Sequence, residues 1–286
     1  MILLTGITGT TGSRLLQVLA KKNIPVRAIL RDPDKVKDIS MPQIEIVQGD
    51  FENEASLESA LKGVDKAFML MPNIKEQLDN EKRFIDVAKK TGVSHVVKLS
   101  AAGADANSPA VLKSYHGQSE EYIAQSGIAY TCVRPNFYMH NMLQSAASVV
   151  AEDKFYLPMG SGRTGVVDVQ DVAEFIAEIL TGSGYEGQTY DVTGPEILSF
   201  ADLARQMSEV LGRQITYVDI PPGEFGAQLS KWGTSDWIVD AVGALFALIA
   251  KDEAAKMSET FEQICSKPPR SFRQFVEEHA ALFSSA

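Results

Sequence analysis

The 286-residue chain carries 37 acidic and 27 basic side chains, a formal charge of −10. A nucleic-acid surface draws most of its affinity from cations set against phosphates, so this balance argues against that class of partner. The composition is that of a globular protein, and the length suits one large domain or a main domain with a smaller lobe.

Met1 leads directly into the strand-like ILLTG, without the charged, apolar and small-residue segments of a leader. The longest apolar stretch, Trp237 to Ala250, is interrupted by Asp240 and falls short of the ~20 residues a bilayer requires. A buried or lid helix is expected there, and no membrane association. Cys132 and Cys265 lack CxxC spacing, and His95, His116, His140 and His279 lack ligand spacing. Neither a metal site nor a disulfide framework is expected, and the expected location is a reducing cytoplasm.

Ile2–Thr5 reads as a strand, followed by a glycine loop and a helix in which Leu15, Leu16, Val18 and Leu19 recur at helical spacing. VRAILR and IEIVQGD read as the second and third strands, and residues 54–62 as a short helix. VDKAFMLM is the fourth strand, EKRFIDVAKKTG a helix, HVVKLS the fifth strand, SEEYIAQSG a helix and YTCVRP the sixth strand. Strands separated by helices imply right-handed crossovers and a parallel sheet covered on both faces. The expected fold is therefore α/β, a doubly wound parallel sheet of the Rossmann type, with a nucleotide-binding core over residues 1–135. Residues 136–286 are expected to complete the sheet at about 164–194 and then form a mostly helical substrate lobe, compact with the first part. SFADLARQMSEVLG is a helix begun by Ser199 and stopped by Gly212.

Gly6, Gly9 and Gly12 follow a strand and open a helix, the context in which glycines let backbone amides approach a pyrophosphate. The spacing is GxxGxxG. The loop is expected to hold a dinucleotide. After the second strand the sequence reads AILRDPDK: Arg31 stands where a carboxylate would accept the ribose 2′-hydroxyl of NAD, with Asp32 behind it and Lys35 further on. A guanidinium grips a 2′-phosphate with two hydrogen bonds, so NADP (NADPH) is the expected cofactor.

With TGITGTTG, ILRDPDK, VQGDFENEASLESALKGVD, HGQSEEYIAQSGIAYTCVRPNFYMHN, VVDVQDVAEFIAEIL, YDVTGPEILSFADLARQMSEVLGR and PPRSFRQFVEEHAALF, nearly the whole chain resembles the NmrA-like family of atypical short-chain dehydrogenases. That family includes NADPH-dependent quinone oxidoreductases, triphenylmethane reductases and a redox-sensing regulator. The resemblance implies that the Gly6–Gly12 loop with Thr8, Thr10 and Thr11 cradles the phosphates, and that Arg31 and Lys35 take the 2′-phosphate. It implies that Asp50 and Phe51 flank the adenine, and that Leu70, Met71 and Pro72 lie by the adenosine ribose. Ser100, Ala101 and Ala102 are then near the nicotinamide, with Pro135, Asn136 and Tyr138 ending the sixth strand.

The YxxxK pair of ordinary short-chain dehydrogenases is broken, because Ser119 stands where a lysine would follow Tyr115. His116 and Glu120, four apart on one helix face, are offered instead, and similar reductases carry the same HxxxE arrangement. Glu120 is expected to orient or charge His116, which would donate a proton after hydride transfer. Tyr115 is a further candidate, and Lys113 reads as a solvated cation. Tyr138, Trp232 and Trp237 are candidate pocket residues. The expected function is reduction of a quinone-like or other electrophilic aromatic small molecule by NADPH, in a monomer or homodimer. The alternative is a non-catalytic dinucleotide sensor acting through a protein partner.

Overall fold

Short apolar runs become strands and amphipathic runs become helices through the first half of the chain. β1 (Ile2–Leu4) is buried at every residue, and α1 (Thr10–Lys21) buries Leu15, Leu16, Val18 and Leu19 while Gln17 and Lys21 are exposed. The pattern continues with β2 (Val26–Leu30), a 3₁₀ turn at Pro33–Val36, β3 (Ile44–Gln48), α2 (Glu54–Leu61), β4 (Lys66–Met69), α3 (Gln77–Lys90), β5 (His95–Leu99), α4 (Val111–Ser126) and β6 (Ala129–Pro135). After these come α5 (Ala146–Glu152), β7 (Lys154–Leu157), β8 (Arg163–Gly165), α6 (Val169–Thr181), β9 (Gln188–Val192) and β10 (Ile197–Ser199). The chain ends with α7 (Phe200–Leu211), β11 (Thr216–Asp219), α8 (Pro222–Lys231), α9 (Asp236–Ile249), α10 (Thr260–Cys265) and α11 (Phe272–Glu278). This computed structural model describes residues 1–36 and 43–284.

The main sheet has seven strands in the order β3-β2-β1-β4-β5-β6-β9, and every pairing from β3 to β6 is parallel. The chain runs outward from β1 to β3 and then returns to β4 on the other side of β1. Ligands of such sheets bind beyond the carboxyl ends of the strands, where the direction of winding reverses. Thr5 fastens that point: its hydroxyl donates to Leu70 O at 2.9 Å and accepts from Leu70 N at 2.7 Å. The doubly wound sheet expected from the sequence is present.

Two helices begin earlier than their apolar periodicity suggests. α3 starts at Gln77 rather than Glu81, and α4 at Val111 rather than Ser119. Their extra turns bury polar residues, Gln77, Asn80 and Lys113, which an apolar pattern does not register. Within 164–194, β9 joins the main sheet as an edge strand, whereas β8 pairs antiparallel with β10.

The chain divides into two compact units. The first comprises Met1–Ser108, Ser114–Arg134 and Val172–Tyr190, with a core around Leu57, Phe84, Ile85, Val96 and Ile123. The second comprises Pro109–Lys113, Pro135–Asp171 and Asp191–Ala286, with Phe137, Met142, Phe155, Phe200 and Phe275 in its core. In the second unit β11 pairs parallel with β7, and α7 opens on a capping box between Ser199 and Asp202 and closes on the left-handed Gly212. α9 covers most of the Trp237–Ala250 run but buries only Ala241 and Ile249. Among the described residues no helix is long and apolar enough to cross a membrane.

Candidate active site

The three glycines after β1 do three different things. Gly6 turns the chain in the left-handed region (φ +67°), where a side chain is strained and a Cβ would lie 2.8 Å from Leu70. At Gly12 a Cβ would lie 2.2 Å from Gly6 O, so this glycine lets α1 press against the loop backbone. Gly9 differs. It is exposed, extended (φ −90°, ψ 172°), and a Cβ there would meet nothing nearer than Gly6 O at 3.4 Å. The protein's own packing gives no reason for a glycine at this position. Gly9 is also the N-cap of α1, which has no side-chain cap and no acidic residue in its first turn. A helix end left positive, with a smooth backbone above it, fits the diphosphate of a dinucleotide. Thr8 and Thr10 are exposed beside it, and Thr11 is buried.

Arg31 is exposed as the first residue beyond β2. Its neighbour Asp32 accepts from Asp34 N at 3.1 Å, so that carboxylate is engaged in its own turn. Lys35 lies in the 3₁₀ turn, with its side chain outside the described residues. Half-buried Phe51 packs on Phe84, ring centroids 5.7 Å apart, and its carbonyl accepts from Arg83 at 3.0 Å. Asp50 Oδ1 accepts from Glu52 N at 3.0 Å. Leu70 is half-buried and Pro72 exposed after β4, whereas Met71 belongs to the first unit's core. Ala101 and Ala102 are half-buried after β5.

Pro135, Asn136 and Tyr138 fall in the second unit. The amide of Asn136 is engaged there by the chain itself: Oδ1 accepts from Phe137 N at 2.8 Å and Thr164 Oγ1 at 2.9 Å, and Nδ2 donates to Ala254 O at 2.9 Å. Pro135 is buried, and Tyr138 bridges to Val167. Trp232 is exposed at the end of α8, and Trp237 is half-buried in α9. Lys113 is only 7% exposed rather than solvated, and burial pulls its ammonium below the usual lysine range.

The candidate catalytic helix, α4, is seated by Gly117, where a Cβ would come within 2.2 Å of Ala106 N. Ser114 adds a hydrogen bond to Ala106 O at 2.9 Å. His116 and Glu120 sit one turn apart, yet their bonds go elsewhere. Glu120 Oε1 accepts from Ser100 Oγ at 2.5 Å and Arg134 Nε at 2.9 Å, and Oε2 accepts from Arg134 Nη2. His116 Nδ1 instead meets Lys98 Nζ at 3.3 Å. Lys98 also donates to Glu81 Oε2 at 2.7 Å, and these two charged side chains are 0% and 1% exposed. Gln77 Nε2 closes the chain on Glu81 Oε1 at 3.1 Å. The expected contact of Glu120 with His116 is thus replaced by two separate systems. The reason is that β5 and β6 each present a cation to α4. Tyr115 is half-buried on the same helix.

Burial, reinforced by the Lys98 ammonium, pushes the His116 imidazole down to about 3, so the ring is neutral at neutral pH. Burial alone would raise Glu81, but Lys98 and the hydrogen bonds around the carboxyl outweigh it and keep Glu81 below its usual value. Cys132, on β6, is pushed by burial up to about 12 and is an inert thiol. Lys98, Glu81 and Arg134 have no place in the sequence reading of the site. One local signal exists: Lys98 is a lysine inside HVVKL, a strand buried at every residue.

Residues 1–272 match the NmrA-like family. The chain belongs to that family. It is 34% identical over 286 residues to a protein named NAD(P)H azoreductase from Xenophilus azovorans, covering all of both chains. It is 29% identical over 280 residues to quinone oxidoreductase 2 of Escherichia coli, covering 96% of this chain and 97% of that one. The crystal structure of the NADPH-dependent quinone oxidoreductase from E. coli complexed with NADPH superposes with a TM-score of 0.89 at 28% identity, over 98% of this chain and 100% of the other.

Proposed function

We propose that this NmrA-like protein is an NADPH-dependent reductase of an electrophilic aromatic acceptor, a quinone or a compound of similar electron demand such as an azo dye. The observation that carries the reading is the full-length similarity to a protein named NAD(P)H azoreductase, in a chain whose own packing leaves Gly9 open above an uncapped helix end. The amides of the Gly6–Gly12 loop bind the diphosphate, and Arg31 binds the 2′-phosphate. Bound NADPH supplies a hydride to the acceptor.

The protein's further work is orientation and proton supply at the acceptor. Ser100, just past the end of β5, donates to Glu120, and Glu120 accepts from Arg134, so these side chains are engaged with one another before any ligand arrives. His116, neutral and one turn from Glu120, is the residue we assign to hydrogen-bond the acceptor as charge develops on it. The test is oxidation of NADPH, followed at its nicotinamide absorbance, against panels of quinones, azo dyes and triphenylmethane dyes. Turnover with one class supports the reading and names the acceptor. Tight NADPH binding with no turnover on any panel would overturn it and leave a dinucleotide sensor.

A further inference from the structure

We propose that Lys98, fixed by Glu81, is a positioning residue that holds His116 as the neutral Nε2–H tautomer and so makes that ring a hydrogen-bond donor to the acceptor. The last clause rests on the assignment of His116 above; the tautomer itself does not.

Packing does not explain the pairing of Lys98 with Glu81. Lys98 and Glu81 are enclosed in the first unit at 0% and 1% exposure. A buried ion pair gains little over apolar residues of the same volume, because desolvating two charges offsets their attraction. β5 is buried along its length, and an apolar residue at position 98 would complete it. What the lysine adds is directional. An ammonium has three N–H donors and no acceptor. Lys98 Nζ has three acceptors around it: Glu81 Oε2 at 2.7 Å, His116 Nδ1 at 3.3 Å and Leu99 O at 3.4 Å.

Of these, only His116 Nδ1 has a choice of state. With a proton on Nδ1, two donors would face each other at 3.3 Å; with a lone pair there, the contact is a charge-assisted hydrogen bond. The proton of a neutral ring then resides on Nε2. The charged groups facing the ring from other elements are Lys98 on β5, Glu81 on α3 and Arg134 on β6; both cations oppose a second proton, and Glu81 favours it less strongly than Lys98 opposes it. Glu120, on the same helix, is engaged by Arg134 and Ser100. Glu81 holds the Lys98 ammonium at 2.7 Å, and Gln77 keeps Glu81 in place.

The experiment is nitrogen NMR on protein labelled with ¹⁵N-histidine, with the His116 signals assigned by their loss in His116→Asn. Wild type should show His116 as a single Nε2–H tautomer that does not titrate from pH 8 to pH 5. An Nδ1–H tautomer, an even mixture, or titration near the ordinary histidine value would overturn the inference without any variant having to fold. The double variant Lys98→Met/Glu81→Leu removes both charges together and leaves neither orphaned. In it, once a melting curve shows that it is folded, His116 should exchange between tautomers, because the donor facing Nδ1 is gone. An unchanged single Nε2–H tautomer in that folded variant would equally overturn the inference. Activity separates the two proposals: a wild-type tautomer as expected, with full turnover by His116→Ala, would remove the catalytic assignment of His116 and leave the role of Lys98 in fixing the tautomer intact.

Discussion

Replacing Gly9 and Gly12 separately distinguishes a glycine kept for a ligand from one kept for the fold. In Gly9→Val the new Cβ stands 3.4 Å from Gly6 O, an ordinary contact, and the extended backbone of Gly9 accepts any residue. Because Gly9 is the N-cap of α1, where valine is less favoured than glycine, the effect of the substitution on the stability of the unliganded protein should be a loss of no more than about 1 kcal/mol. Binding should suffer, because a branched side chain over the amino end of α1 holds the diphosphate off the amides. Each charged hydrogen bond lost is worth about 1.5–3 kcal/mol, so the dissociation constant for NADPH should rise roughly 10- to 150-fold per contact. In Gly12→Ala the Cβ would come to 2.2 Å from Gly6 O and 2.6 Å from Gly6 C, both backbone atoms that no rotamer change can move. Overpacking of this kind costs about 1–3 kcal/mol and more where backbone must shift, or several degrees in melting temperature. Calorimetric melting without cofactor and fluorescence titration with NADPH read the two effects apart. A folded Gly9→Val protein that binds NADPH like wild type would refute the diphosphate cradle, and a Gly12→Ala protein with unchanged melting would refute the packing of α1 on the loop.

Arg31→Ala should weaken NADPH by about 1.5–3 kcal/mol while leaving NADH nearly unaffected; equal losses for both cofactors in a binding titration would remove the 2′-phosphate from Arg31. His116→Ala should lower kcat for an accepted quinone by roughly 10²-fold, as for loss of one hydrogen-bond donor to developing charge, with NADPH affinity unchanged, and wild-type turnover should show no histidine-like inflection between pH 5 and 8, since the ring is already neutral there. A neutral His116 also makes stability fall with acid: its folded value of about 3 lies below the unfolded 6.5, so stability is full above pH 6.5 and declines toward pH 3. Relative to His116→Gln, wild type should lose up to about 1.4 kcal/mol per pH unit in that window, and parallel denaturation curves at pH 7 and pH 5 would contradict the depressed value. Glu120→Gln should leave the His116 nitrogen spectrum unmoved but lower stability by about 1–3 kcal/mol, because Arg134 loses its carboxylate.

The sheet was legible because its information is local. A buried parallel strand is a short apolar run, and a crossover helix is an amphipathic one, so β1 to β6 and their connections follow from residues adjacent in sequence. Where the reading missed, distant partners decide: a strand was expected at about 164, but it does not complete the main sheet. β8 has only three residues and finds its ladder in β10, 32 positions on by the pairing of Gly165 with Ile197. The first turns of α3 and α4 are hidden for a different reason: Gln77, Asn80 and Lys113 are polar residues in buried positions, where periodicity expects apolar ones. α9 errs the other way, being apolar in sequence yet buried only at Ala241 and Ile249.

The site divides along the same line. The glycine loop was readable because strand, turn and helix are consecutive, but the separate tasks of Gly9 and Gly12 depend on what a Cβ would meet in three dimensions. For the proton chemistry, local spacing pointed to the wrong partner. An i, i+4 pair on a helix places His116 and Glu120 on one face, and that much is correct. What decides their state is the surface under that face. Lys98 and Ser100 are two apart at the end of β5 and so project to one side of the sheet, and the parallel register that pairs Leu99 with Val133 sets Arg134 beside Ser100. Two cations therefore approach α4 from below. The guanidinium takes the carboxylate, forming two hydrogen bonds with it, and the ammonium is left for the imidazole. Once Glu120 is committed to Arg134, nothing on α4 compensates a charged His116, and burial with Lys98 holds the ring neutral. The consequence reaches the mechanism: a residue spaced in sequence like a histidine made more basic by a carboxylate is, in the folded chain, a histidine made less basic by burial and then by a lysine.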